Sequence, residues 1–181
     1  MNVHKNSFLL AVDPGTNTCG VALFSGKKVV EAFTVKRPVK STDSDVRAYH
    51  IIREIEDRLS QYIYCNECNE CHVTLVYEDP QYQRRGGGGH FIEPVYRMAG
   101  MLSYWGIYNN MPVFRYKVSD IKARIAGSRG AKKDAVEAVV RVVLSLKDDD
   151  NSDHVYDAMS VALYHLDLEK PGCFGSKLPI V

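Results

Sequence analysis

The sequence predicts an α/β fold with a five-stranded mixed sheet and helices on both of its faces. Three observations lead there. Three strand-like runs follow one another near the N-terminus, two later strand-like runs are separated by helical patterns, and the chain closes on two further helical patterns. Early meander strands followed by helix-separated strands make a sheet that is part antiparallel and part parallel.

Each element has its own signal. Phe8 to Asp13 is a short apolar run ending in Asp13-Pro14-Gly15, and Cys19 to Ser25 and Val29 to Val35 flank a turn at Gly26-Lys27-Lys28. These read as three strands, the last two a hairpin. From Val46, the apolar residues Tyr49, Ile52, Ile55, Leu59 and Ile63 step by three or four, which is one face of a helix of about five turns. Val73 to Tyr77 is short and apolar and suits a buried strand ending at Glu78. The loop Asp79 to His90 contains four consecutive glycines and leads into a helix from Glu93 to Tyr108, then a strand from Pro112 to Tyr116. Ala131 to Leu146, with Val136, Val139, Val140 and Val143 on one face, and Asp153 to Leu168 are the last two helices. Val118 to Lys133 falls in the connection between the fifth strand and the next helix.

Bulk properties narrow the function classes. A chain of 181 residues with 45% hydrophobic and 25% charged content is an ordinary globular composition and excludes a predominantly disordered chain. One domain over residues 1–169 is expected, with an irregular tail at 170–181 carrying Pro171, Gly172, Gly175 and Pro179. The formal net charge is +1, so any nucleic-acid contact must use a local basic patch. No apolar run approaches the roughly 20 residues that span a bilayer, and the N-terminus lacks a signal-peptide core. A soluble, intracellular protein is the expectation, in cytoplasm, nucleoid, organelle or the host of a virus. Five cysteines are an odd set and predict reduced thiols rather than a disulfide framework.

The strongest functional signal is where the carboxylates fall. Asp13 closes the first strand, Glu78 closes the fourth, and Asp157 lies near the start of the last helix with His154 three residues before it on the same face. Acids at the ends of neighbouring strands, joined by one from a helix on the sheet, can converge into an oxygen-rich site for two hard divalent cations. Such a pair serves phosphodiester hydrolysis, which needs an activated water and stabilisation of charge on the attacked phosphate and the leaving oxygen. Oxygen ligands suit magnesium or manganese. His154 is either a mixed ligand or the group that orients or deprotonates the water. Taken singly, an Asp before Pro-Gly is often a turn residue, and an acid in a first helical turn complements the helix dipole. The joint occurrence carries the functional reading.

At these positions the sequence resembles the RuvC-type Holliday junction resolvases of the ribonuclease H-like superfamily. Leu10-Ala-Val-Asp13-Pro-Gly-Thr-Asn-Thr-Cys-Gly-Val-Ala-Leu23 is similar to the first family motif, Tyr77-Glu78 to the strand-terminal Glu, and His154-Val-Tyr-Asp157-Ala-Met-Ser to the C-terminal helix motif. Val118-Ser-Asp-Ile-Lys122 through Gly127, Gly130 and Lys133 resembles the family segment whose two lysines lie near the scissile phosphate. The resemblance spans residues 8–168. It implies a ribonuclease H-like fold and a magnesium-dependent endonuclease with Asp13, Glu78, His154 and Asp157 holding two Mg2+ ions (Mn2+ substituting) and Lys122 and Lys133 assisting. It also implies four-way junctions as substrate and a homodimer, for which the apolar helix Glu93 to Tyr108 (Val95, Met98, Met101, Leu102, Tyr104, Trp105) is the expected interface. Where the bacterial members carry an aromatic wedge, three residues after the catalytic Glu, this chain has Gln81, with Tyr82 next; Tyr82 is the candidate replacement, stacking on an unpaired base. The tetraglycine Gly86 to Gly89 is a second departure.

Arg84 and Arg85 in the loop after Glu78, and Arg124, Arg129 and Lys132 beside Gly127 and Gly130, are candidate DNA contacts, with a solvated surface as the plain alternative. Cys65, Cys68 and Cys71 have metal-ligand spacing, and with His72 they could hold a structural zinc, although His72 directly follows Cys71 and strains a closed tetrahedral site. Asp13-Pro-Gly-Thr16 with Gly20 also resembles the phosphate hairpin of actin-like ATPases. Those proteins clamp nucleotide between two copies of the fold, so a single unit implies no nucleotide cofactor. The rival function is a related nuclease for forks, flaps or structured RNA, since the same acids would serve it.

Overall fold

The computed structural model describes residues 7–37, 41–64, 72–80, 93–146, 151–175 and 178. Strands β1 (Ser7–Asp13), β2 (Thr18–Ser25) and β3 (Lys28–Lys36) form an antiparallel meander. Helix α1 (Ser44–Ile63) crosses to β4 (His72–Asp79), which pairs parallel with β1, and α2 (Glu93–Tyr108) crosses to β5 (Val113–Lys117), parallel with β4. The five strands lie in the order β3-β2-β1-β4-β5. Helices α3 (Val118–Ala126), α4 (Lys133–Leu144) and α5 (Asp153–Glu169) complete the chain. The fold is the five-stranded mixed sheet with helices on both faces that the sequence predicts.

One helix was not foreseen. Val118–Ala126 is α3, not part of a connection, so the pattern from Ala131 marks the fourth helix, which starts two residues later, at Lys133. Nine residues with only Ile121 and Ile125 buried give too short a period to register in the sequence. Gly127, at φ +74°, ends α3 in the left-handed region that a Cβ disfavours.

Alternation along the strands sends side chains to two cores. Leu10 and Val12 of β1 and Leu75 and Tyr77 of β4 pack with Ile51, Ile55 and Leu59 of α1 and Met98 and Leu102 of α2. Leu9, Ala11 and Val76 point the other way, into a core built on Ile121, Val136, Val140 and α5. Each fully buried aliphatic side chain contributes roughly 1.5–3 kcal/mol. Helix α5 is buried over most of its circumference, with Ala158, Ser160 and Ala162 among its small buried residues, which is how a helix reads when it lies within a core instead of upon one. Past α5, Phe174 and Leu178 are buried in the same cluster.

Candidate active site

The pleat aims the acids. Val12 and Tyr77 face the α1/α2 core and pair across the β1–β4 ladder, so the next residues, Asp13 and Glu78, both turn towards α5. Tyr77 locks this orientation from behind, donating its hydroxyl to the Ala99 carbonyl at 3.1 Å. On the opposite strand, Gly20 is the register partner of Asp13. A Cβ at Gly20 would lie 1.9 Å from the His154 carbonyl oxygen, so the missing side chain is what lets the first turn of α5 rest on β2. Thr34 of β3 and Ser152, the residue before α5, hold that turn with a hydroxyl pair at 2.7 Å.

The result is a cavity of about 320 Å³ lined by Asp13, Glu78, Lys122, Lys133, His154 and Asp157, with Val118, Ile121 and Val136 as an apolar wall. All six residues expected to carry the chemistry therefore meet in one place. His154 Nδ1 lies 2.7 Å from an Asp13 carboxylate oxygen, and Lys133 Nζ donates to Asp157 at 2.6 Å. Ligand atoms of Asp13, His154 and Asp157 lie within 4.8 Å of one another.

Electrostatics make this a site under charge stress. Burial, followed by repulsion from Asp13 and Asp157, raises the Glu78 carboxyl to about 8, against the opposing pull of Lys133 and Lys122. Burial also lifts Asp157, and Asp13 adds to it, in spite of the ion pair with Lys133. The hydrogen bond to Asp13 raises His154. Lys133 is raised as well: burial pulls it down, but Asp157, Asp13 and Asp153 outweigh that. Three carboxylates and an imidazole gathered against two lysines form a donor set that hard divalent cations fit, because a cation removes the repulsion that protonation otherwise relieves.

The other predicted residues are placed differently. Arg124 does not line the cavity; its Nε lies 2.7 Å from Asp167, whose side chain is 8% exposed, so the pair ties α3 to the far end of α5. Arg129 is exposed, 3.4 Å from Asp120, and Lys132 is the exposed N-cap of α4. Tyr82, Arg84, Arg85, Cys65, Cys68 and Cys71 lie outside the described residues. Among the residues proposed for an α2 interface, Met98, Leu102 and Trp105 are buried against the chain's own core, while Tyr104 is 70% exposed. Sequence reasoning missed the positioning roles of Gly20, Thr34 and Ser152. A glycine inside a strand, opposite an acid, was the available signal for the first.

A mixed sheet in this order, with acids on adjacent parallel strand ends and a third on the helix packed over them, defines a nuclease of ribonuclease H-like fold. A family model described as "Crossover junction endodeoxyribonuclease RuvC" matches residues 9–165, and the chain belongs to that family. A relative of that name from Syntrophomonas wolfei is 25% identical over 162 residues, covering 87% of each chain. Another from Heliobacterium modesticaldum is 27% identical over 158 residues, covering 86% of this chain and 91% of its own. Among solved structures, Thermus thermophilus RuvC in complex with Holliday junction substrate superposes with a TM-score of 0.71 at 21% identity, covering 91% of this chain and 96% of the other. No described helix is long and apolar enough to cross a membrane.

Proposed function

We propose that the protein is a magnesium-dependent resolvase that cuts four-way DNA junctions as a homodimer. The observation that carries the reading is the convergence of Asp13, Glu78, His154 and Asp157 with Lys122 and Lys133 in one cavity, in a chain of the crossover junction endodeoxyribonuclease family. Asp13, Glu78, Asp157 and His154 would hold two Mg2+ ions, which when bound supply an activated water and neutralise charge on the phosphate. The remaining work falls to side chains. Asp13 accepts a hydrogen bond from His154 Nδ1 and so leaves Nε2 to coordinate or to take a proton. Lys122 and Lys133 stand at the cavity wall to pair with the non-bridging oxygens of the scissile phosphate. Val118, Ile121 and Val136 restrict water on one side and keep those charges effective.

A four-way junction has near two-fold symmetry and requires paired cuts, which an isologous dimer supplies. The exposed face of α2 with Tyr104, Ile107 and Tyr108 suits such an interface. Tyr82 is the proposed wedge: Tyr82→Ala should slow junction cleavage without lowering thermal stability, and mismatches that pre-open the branch point should restore part of the rate.

The test compares cleavage of four-way junctions, forks, flaps and linear duplex in Mg2+. Paired symmetric cuts confined to the four-way junction and lost in EDTA are expected. Equal cutting of forks or flaps would assign the site to the broader class of branched substrates, and cleavage undiminished by EDTA would remove the metal from the mechanism.

A further inference from the structure

Beside the acid cavity lies a second concavity of about 620 Å³, lined by Gly15, Thr16, Asn17 and Thr18 of the β1–β2 turn, Arg37, Arg47, Pro94, Val95 and His154. His154 also lines the acid cavity, so the two share a wall. Their charge is opposite. Among the described residues no carboxylate lines the second concavity, whereas two guanidinium groups and two threonines do. Arg47 Nη1 donates to the Asn17 side chain at 3.2 Å, and its Nε is buried with no hydrogen-bond partner among the described residues. That Nε is out of reach of solvent, but Arg47 lines a space that an anion could enter, where its other guanidinium N–H groups can find acceptors. Arg37 is exposed, and its backbone N–H is bonded to the Asn17 carbonyl at 2.9 Å, which fixes the end of β3 against the turn. The turn is itself rigid: Gly15 N–H donates to the Asp13 carbonyl at 2.9 Å, and a Cβ on Gly15 would lie 1.9 Å from the Thr18 carbonyl oxygen.

We propose that this concavity is a second phosphate subsite, in which Arg37 and Arg47 hold a backbone phosphate of the cleaved strand flanking the scissile one. The inference rests on the nuclease reading of the acid cavity and adds a register device to it. One phosphate at the acids and a neighbour at the arginines, on either side of His154, fix how far the strand slides past the catalytic groups. Planar guanidinium forks are suited to phosphate oxygens, and the hydroxyls of Thr16 and Thr18 add donors.

The experiment measures binding of a four-way junction in EDTA, where cleavage is stopped, across a series of salt concentrations. Arg37→Ala and Arg47→Ala should each lower the slope of log affinity against log salt by about one, and the double variant by about two. If Arg47→Ala melts early, Arg47→Gln takes its place, since it removes the charge and keeps a long side chain with a donor for Asn17. A junction carrying a single methylphosphonate, moved one position at a time around the cut, should weaken binding to the unaltered protein. At one flanking position this loss should vanish in the double variant. Unchanged slopes, or methylphosphonate losses that are the same in both proteins at every position, overturn the proposal. Inorganic phosphate separates the remaining source: if it raises the Tm of the unaltered protein only, while the DNA slopes stay equal, the site takes a free anion and the strand-register claim fails. Cleavage of the same junction by the unaltered protein in Mg2+ tests the nuclease reading separately.

Discussion

The two faces of the sheet hold their helices in opposite chemical styles. On one face α5 lies deep in the core and presses Asp157 and His154 towards Asp13 and Glu78, so that charge is held where water is scarce. On the other face α1 and α2 leave an open groove of about 710 Å³ bordered by Tyr49, Ile52, Met101, Tyr104, Trp105 and Tyr108. There apolar surface is held where water is abundant. The first arrangement costs stability, since buried like charges repel, whereas the second only forgoes what burying its aromatic rings would contribute. The difference teaches what each face is suited to: the first gathers charge that cations and phosphate would balance, and the second offers the apolar surface on which the proposed dimer would form.

The sharpest way to break the comparison is to discharge the first face. Asp13→Asn, Glu78→Gln and Asp157→Asn should each reduce junction cleavage by at least about 10²–10³-fold in single-turnover assays. Junction binding should persist in gel shifts, because the proposed phosphate contacts are lysines and arginines. An active variant would show that its carboxylate is not part of the chemistry.

Gly20→Ala comes next, because its new Cβ meets the backbone of His154 and not a flexible side chain. We expect about 1–3 kcal/mol of destabilisation by denaturant titration, together with a cleavage loss larger than the population of unfolded protein explains. Full activity in a stable variant would mean that α5 need not sit so close to β2.

On the other face, Tyr104→Glu combined with Tyr108→Glu should shift the mass seen by light scattering from dimer to monomer at micromolar concentration. The Mg2+-induced rise in Tm should be retained, because those residues are remote from the acids. A dimer that survives the double substitution would move the interface away from α2.

The smallest effect is a pH dependence. The folded pKa of Glu78 is about 8 against an ordinary 4.5, and Asp157 and His154 are also raised. At this cavity the folded chain thus binds more protons than the unfolded one, and the cavity's contribution to stability falls as pH rises from about 4.5 to 8, whereas His165, lowered by burial, acts in the opposite direction below its ordinary 6.5. In EDTA the Tm of the unaltered protein should decline over that window relative to that of Glu78→Gln, in which His165 is retained, and Mg2+ should stabilise more at the alkaline end. A Tm difference between the unaltered protein and Glu78→Gln in EDTA that stays constant from about pH 5 to 8 would contradict the charge stress described for this cavity.

Much of this was legible in the chain itself. The strand ends that carry Asp13 and Glu78, the i,i+3 spacing of His154 and Asp157, and the limits of α2 follow from local chemistry: strand alternation, helix period and turn residues act over a few positions. The resemblance of four short motifs then assigned six residues that the fold gathers in one cavity. What only the tertiary structure decided depends on groups far apart in sequence. Helix α3 is too short to declare itself, and it is held by Ile121, Ile125 and the Arg124–Asp167 pair, so Arg124, a candidate DNA contact by sequence, also pairs with an acid 43 residues away. The raised carboxyl of Glu78 exists because β1, α3, α4 and α5 close around it and bring two other acids beside it. Gly20 shows the division within one residue: the sequence marks a glycine in a strand, and only the packing of α5 on β2 reveals that the space beyond its Cα belongs to the backbone of His154.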